Sequence, residues 1–151
     1  MLAAIRRFFA RMSDGNPKVE TGPDQVQLAV AALLFHVIAV DGTVLEEERT
    51  ALIELLERRF ELGPDEAHAL VAAAEEADAE AVDLYGFTSV IKRALDQADR
   101  ERLITMMWKM VYADGKVHEF QDNVVWRVAE LLGVPSQTRI RLKQSVRSDG
   151  G

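Results

Sequence analysis

The strongest constraint on the fold is a phrase that the chain uses twice. Asp41-Gly42-Thr43-Val44-Leu45-Glu46 returns 73 residues later as Asp114-Gly115-Lys116-Val117-His118-Glu119. Each copy follows a long apolar run and precedes an amphipathic pattern, which points to one helix–turn–helix unit used twice. An Asp and a Glu then stand at equivalent points of both units. A pseudo-two-fold arrangement would bring four carboxylates into one place.

The periodicity around the phrases is helical. Between Asp24 and Val40 the apolar residues Val26, Ala29, Val30, Leu33, Leu34, Val37 and Ile38 cover nearly every face. A helix of that kind sits in the middle of a bundle. Leu103, Ile104, Met106, Met107, Trp108, Met110 and Val111 make a second such helix over 99–113. Stripes at helical spacing over 45–60, 64–77, 84–95 and 120–132 predict amphipathic helices packed around these two. Pro64 stands at a first helical position, with Asp65 and Glu66 in the first turn. Asp78 to Asp83 reads as an acidic connector, and Gly133-Val134-Pro135-Ser136 as a turn before a last basic helix. Strict period-2 alternation is missing. The expected fold is all-α, a single domain of seven to eight helices, with two pseudo-symmetric helical units around two buried central helices. Residues 1–23 are expected to form a basic amphipathic N-terminal helix and a linker, and residues 24–147 the helical domain.

Composition narrows the function. A chain of 151 residues suffices for one domain with a real core. It has no cysteine, which excludes disulfides, thiolate catalysis and cysteine-based zinc sites. A formal charge of −7 argues against nucleic acid as a partner, since a phosphate backbone demands Lys and Arg. No apolar run reaches the roughly 20 residues that span a bilayer, and no secretory signal pattern opens the chain. A cytoplasmic protein is expected. Residues 1–12 place Arg6, Arg7 and Arg11 among Leu2, Ile5, Phe8, Phe9 and Met12. Such a helix gives at most weak membrane-surface contact. Alternatively, the basic ends dock on the acidic middle of the chain.

The acids of the repeated phrase are the candidate chemistry. Asp41 and Asp114 close helices whose terminal carbonyls already carry partial negative charge, which disfavours a carboxylate there by roughly 0.3–1 kcal/mol. Two arrangements would offset that cost. One is local, an Asx-turn with the next backbone N–H groups. The other is a cation held between carboxylates and helix-end carbonyls, since hard cations favour oxygen ligands. Glu46 can complete a capping box with Thr43. Lys116 stands in the place of Thr43, so capping explains Glu119 less well. If the helices begin later, Glu48 and Gln121 become the capping residues. The phrase also imitates the last eight positions of a calcium-binding EF-hand loop, through Asp41, Gly42, Val44 and Glu48. Its upstream ligand positions would be Val37 and Ala39, which carry no carboxylate. A cation would therefore need ligands from both units. His36 reads as hydrogen-bonded core, His68 as surface and His118 as a turn residue. No phosphate-cradling glycine loop or nucleophile elbow occurs, and no activated nucleophile can be named, so catalysis is not expected.

Taken together, these residues resemble the tellurite-resistance TerB family, in particular its small stand-alone bacterial members. The doubled phrase carries the resemblance, supported by His36 to Glu48, Leu84 to Leu95 and Met110 to Gly133. The resemblance implies an all-helical domain with pseudo-two-fold halves, a link to tellurite and other chemical stress, and an acidic cluster that binds metal. Related domains occur beside co-chaperone modules, which implies protein partners. Carried over to this chain, the metal residues would be Asp41, Glu46 and Glu48 from the first half, with Asp114 and Glu119 from the second. Gln121 replaces the acid that would match Glu48. The expected function is non-enzymatic binding of a divalent cation (calcium, zinc or manganese) in a tellurite or chemical stress response. The alternative is a metal-free protein–protein interaction or scaffold module.

Overall fold

A helix without a polar face can persist in water only if other elements enclose it. Helix α1 (Pro23–Ala39) is of that kind: every residue from Leu28 to Phe35 is buried, as are Val37 and Ile38. The structure, a computed structural model, describes residues 23–40, 42–112 and 119–149. Among the described residues all regular structure is α-helical. After α1 come α2 (Glu46–Phe60), α3 (Pro64–Glu80), α4 (Tyr85–Ala94), α5 (Gln97–Val111), α6 (Glu119–Leu131) and α7 (Ser136–Asp149). The N-terminal helix expected over 1–12 lies outside the described residues.

Helices α2 to α6 all pack directly on α1, and α7 packs on α5. The broadest contact is between α1 and α3. Ala29, Ala31 and Ala32 on α1 and Ala67, Ala73, Ala74 and Ala77 on α3 are all buried. Small side chains on both helices let the axes approach closely. Helix α5 is the second apolar element: Leu103, Ile104, Met106, Met107, Trp108, Met110 and Val111 are buried against α1, α2, α6 and α7. The two central helices read from the sequence are thus the two central helices of the fold.

The helix ends follow from local chemistry. Asp96 caps α5 by accepting a hydrogen bond from the Asp99 N–H at 2.9 Å. The Glu66 carboxylate accepts from the Gly63 N–H at 3.2 Å at the start of α3. Helix α6 ends at Gly133, whose φ of 74° is left-handed, with Val134 N–H donating to the Ala129 carbonyl and Gly133 N–H to that of Glu130. That pair of bonds closes a helix around a left-handed glycine. One boundary differs from expectation. The acidic connector is shorter than residues 78–83, because α3 continues through Asp78 to Glu80. The reason is tertiary: His36 Nδ1 on α1 lies 2.7 Å from Asp78 Oδ1, a partly buried pair that fixes the last turn of α3. Among the described residues no helix is long and apolar enough to cross a membrane.

The central position of α1 predicts a sharp contrast. Leu33→Ala, at a fully buried site, should cost about 2–5 kcal/mol in urea unfolding. Val82→Ala, at a fully exposed site, should stay within about 0.5 kcal/mol. Equal stability of the two variants would contradict the enclosure of α1.

Candidate site where the two repeated phrases meet

The repeat sets where two helices begin. Glu46 is the first residue of α2 and Glu119 the first of α6, the same 73-residue offset that separates the phrases. Glu48 and Gln121 are therefore each the third residue of a helix. A side chain at that position reaches back toward the free N–H groups of its own helix end. In the first copy, Leu45 N–H donates to Glu48 Oε1 at 3.0 Å. Leu45 has no side-chain oxygen to return the bond, so this is half of a capping box. The capping carboxylate is thus Glu48. Glu46, one residue into the helix, is exposed and does not fill the Thr43 box expected from the sequence. Gly42 precedes this start with a φ of 88°, and its N–H donates to the Ala39 carbonyl at 3.0 Å. A side chain there would meet no neighbour, so backbone conformation alone calls for glycine.

The second Glu48 oxygen carries the central observation. Gln121 Nε2 donates to Glu48 Oε2 at 3.4 Å, joining residues 73 positions apart. Glu48 is 3% exposed and Gln121 0%. Equivalent residues of the two phrases are therefore in contact inside the protein. The carboxylate sets the orientation of the amide, since only the NH2 group can face it. The amide oxygen, Gln121 Oε1, is buried and has no hydrogen-bond partner among the described residues. A buried acceptor in that state costs about 1–3 kcal/mol. The charge of Glu48 meets partial compensation, because both side chains sit in the first turn of a helix, where the macrodipole favours negative charge.

The other candidate residues are placed differently. Glu119 is exposed at the start of α6, as Glu46 is at the start of α2. Asp41 and Asp114 lie outside the described residues. Among the described residues no three of His, Cys, Asp or Glu gather into a metal-binding group. What can be tested against a cation is the pair itself. A carboxylate and an orphaned amide oxygen are both hard oxygen donors, and each copy brings an Asp only seven positions upstream.

Contacts that the sequence did not reveal brace α7 beside this region. Lys143 Nζ lies 2.7 Å from Asp122 Oδ1 and 5.1 Å from the centre of the Trp108 ring. The Arg139 guanidinium lies 3.8 Å from the centre of the Trp126 ring and donates to the Trp126 carbonyl at 3.2 Å. These are cation–π contacts. The basic face of the last helix and the two tryptophans were the only sequence signals for them.

The Glu48–Gln121 contact predicts energetic coupling. Glu48→Ala, Gln121→Ala and the double variant, unfolded by urea in chelator, should give an interaction energy of about 0.5–3 kcal/mol. Strict additivity would mean that the two side chains act independently.

The helical architecture has a solved counterpart. A crystal structure of a protein of unknown function from Porphyromonas gingivalis W83 is similar with a TM-score of 0.62, at 15% identity over 86% of this chain and 99% of that one. At that identity the likeness speaks for the fold alone. No curated protein matches the chain. The family described as tellurite resistance protein TerB matches residues 27–144, a span that contains both phrases and the Glu48–Gln121 contact. The chain belongs to the TerB family.

Proposed function

We propose that this TerB domain is a non-enzymatic, cytoplasmic binder of a divalent cation, held where the two phrases meet and serving a tellurite or chemical stress response. The family match supports the link to tellurite resistance. The observation that carries the cation is the buried Glu48–Gln121 contact, with an amide oxygen left unpartnered beside a carboxylate. Glu48 and Gln121 would hold the ion directly. Asp41 and Asp114, the first residues of the two phrases, would complete the oxygen shell, with Glu46 and Glu119 at its outer edge. Such a cation supplies charge neutralisation and ties the two phrases together. An all-oxygen donor set favours calcium or manganese over zinc, which prefers nitrogen and sulfur.

A specific feature also favours the alternative, a metal-free interaction module. Phe120 is 68% exposed immediately before Gln121, and Leu45, which immediately precedes α2, is exposed as well. Two large apolar side chains flanking one contact suit a protein partner.

Calorimetric titration of chelator-stripped protein with calcium, manganese and zinc separates the two readings. On the cation reading, calcium or manganese gives heat and raises the thermal midpoint through linkage. Glu48→Gln should abolish both signals. Gln121→Glu, which adds a charge to the donor set, should tighten binding by roughly tenfold. Silence with all three ions removes the cation reading and leaves the interaction module.

A further inference from the structure

Helices α2 and α5 run side by side without closing over each other. The groove between them has a volume of about 370 Å³. Leu55 and Met106 form its apolar floor, and Arg58, Arg59, Arg102 and Lys109 surround it. Four cations thus line one groove of a chain whose formal charge is −7. One acid answers them. Asp99 lies 2.6 Å from Arg102 and 3.8 Å from Arg59. Arg58 and Lys109 make no ion pair or hydrogen bond among the described residues. The groove therefore keeps a local excess of positive charge.

The spacing explains the shape. Arg102, Met106 and Lys109 follow each other at helical intervals of four and three on α5, so they share a face. Met106 lies between the two cations. On α2, Arg58 follows Leu55 by three positions and adds a cation beside an apolar residue in the same way. Arg58 stands ten residues beyond Glu48, about 15 Å along α2 at the helical rise. The groove is distinct from the acidic contact described above.

We propose that this groove binds a small organic phosphate, with at least two phosphate charges and an apolar or aromatic body. Guanidinium groups match phosphate oxygens in bidentate geometry, and several cations around one opening call for more than one negative charge. The Leu55–Met106 floor accepts the body of the ligand. The volume falls in the range of small-molecule sites, about 300–1,000 Å³. A concave site takes a discrete molecule, whereas a lipid surface is met by projecting side chains. A long nucleic acid would be repelled by the rest of this acidic chain.

The test uses the full chain in chelator, so that the result is independent of any cation site. ADP, inorganic pyrophosphate and phosphatidylglycerol vesicles serve as probes in calorimetric titration. ADP should bind, more weakly as salt rises, and at least threefold more tightly than pyrophosphate. Arg58→Glu combined with Lys109→Glu should weaken ADP binding at least tenfold, and the single Arg58→Ala and Lys109→Ala variants severalfold each. Lys92→Glu combined with Arg127→Glu, at exposed cations elsewhere, should leave it unchanged. Circular dichroism and the thermal midpoint check that the variants fold. No heat with ADP at millimolar concentration, equal weakening in the control pair, or binding to vesicles alone would overturn the proposal. Pyrophosphate binding as tightly as ADP would overturn the role of the apolar floor.

Discussion

Because α1 offers water no polar stripe, five helices must reach it from different sides, and the chain order is arranged around that demand. Helix α3 makes the broadest contact with α1, and both helices bury several alanines. Helix α5, apolar from Leu103 to Val111 except at Thr105 and Lys109, then needs covering in turn and receives α6 and α7. His36 is a polar exception on α1, and it is matched by Asp78 at the end of α3. The two described histidines differ: His36 joins two helices, while His68 bonds the carbonyl of Pro64 in its own helix.

The second organising element is the meeting of α2 and α6 at their first turns. Both helices begin in the same register relative to the repeated phrase, so their third residues face the same chemical task. Glu48 satisfies the Leu45 N–H with one oxygen and Gln121 with the other. A single carboxylate therefore serves as a local cap and as a link between segments far apart in sequence. That dual use explains why an acid so thoroughly buried persists in an apolar interior.

Much of the fold was legible because helical periodicity is a local property. The apolar runs of α1 and α5 announce their burial without knowledge of any neighbour, and Pro64 and Gly133 mark boundaries through backbone chemistry alone. The misreadings have a common origin in tertiary partners. Asp78 looks like part of an acidic connector until His36 is placed opposite it. Glu46 looks like a capping residue until the helix is seen to start there, which hands the task to Glu48. Gln121 reads as a missing acid in a list of ligands, although it is the residue that makes the contact. The basic groove was invisible because its cations come from α2 and α5, more than 40 positions apart. Each set alone resembles an ordinary solvated face.

The unlike pair at the seam changes what the two halves require of each other. Two glutamates at this spacing would repel in a dry setting unless a proton or a metal came between them. The amide turns that repulsion into a donor–acceptor contact. A hydrogen bond between the chain's own side chains spans the seam. Occupancy is then free to follow supply, so a bound ion would report its own abundance rather than the integrity of the chain that carries it.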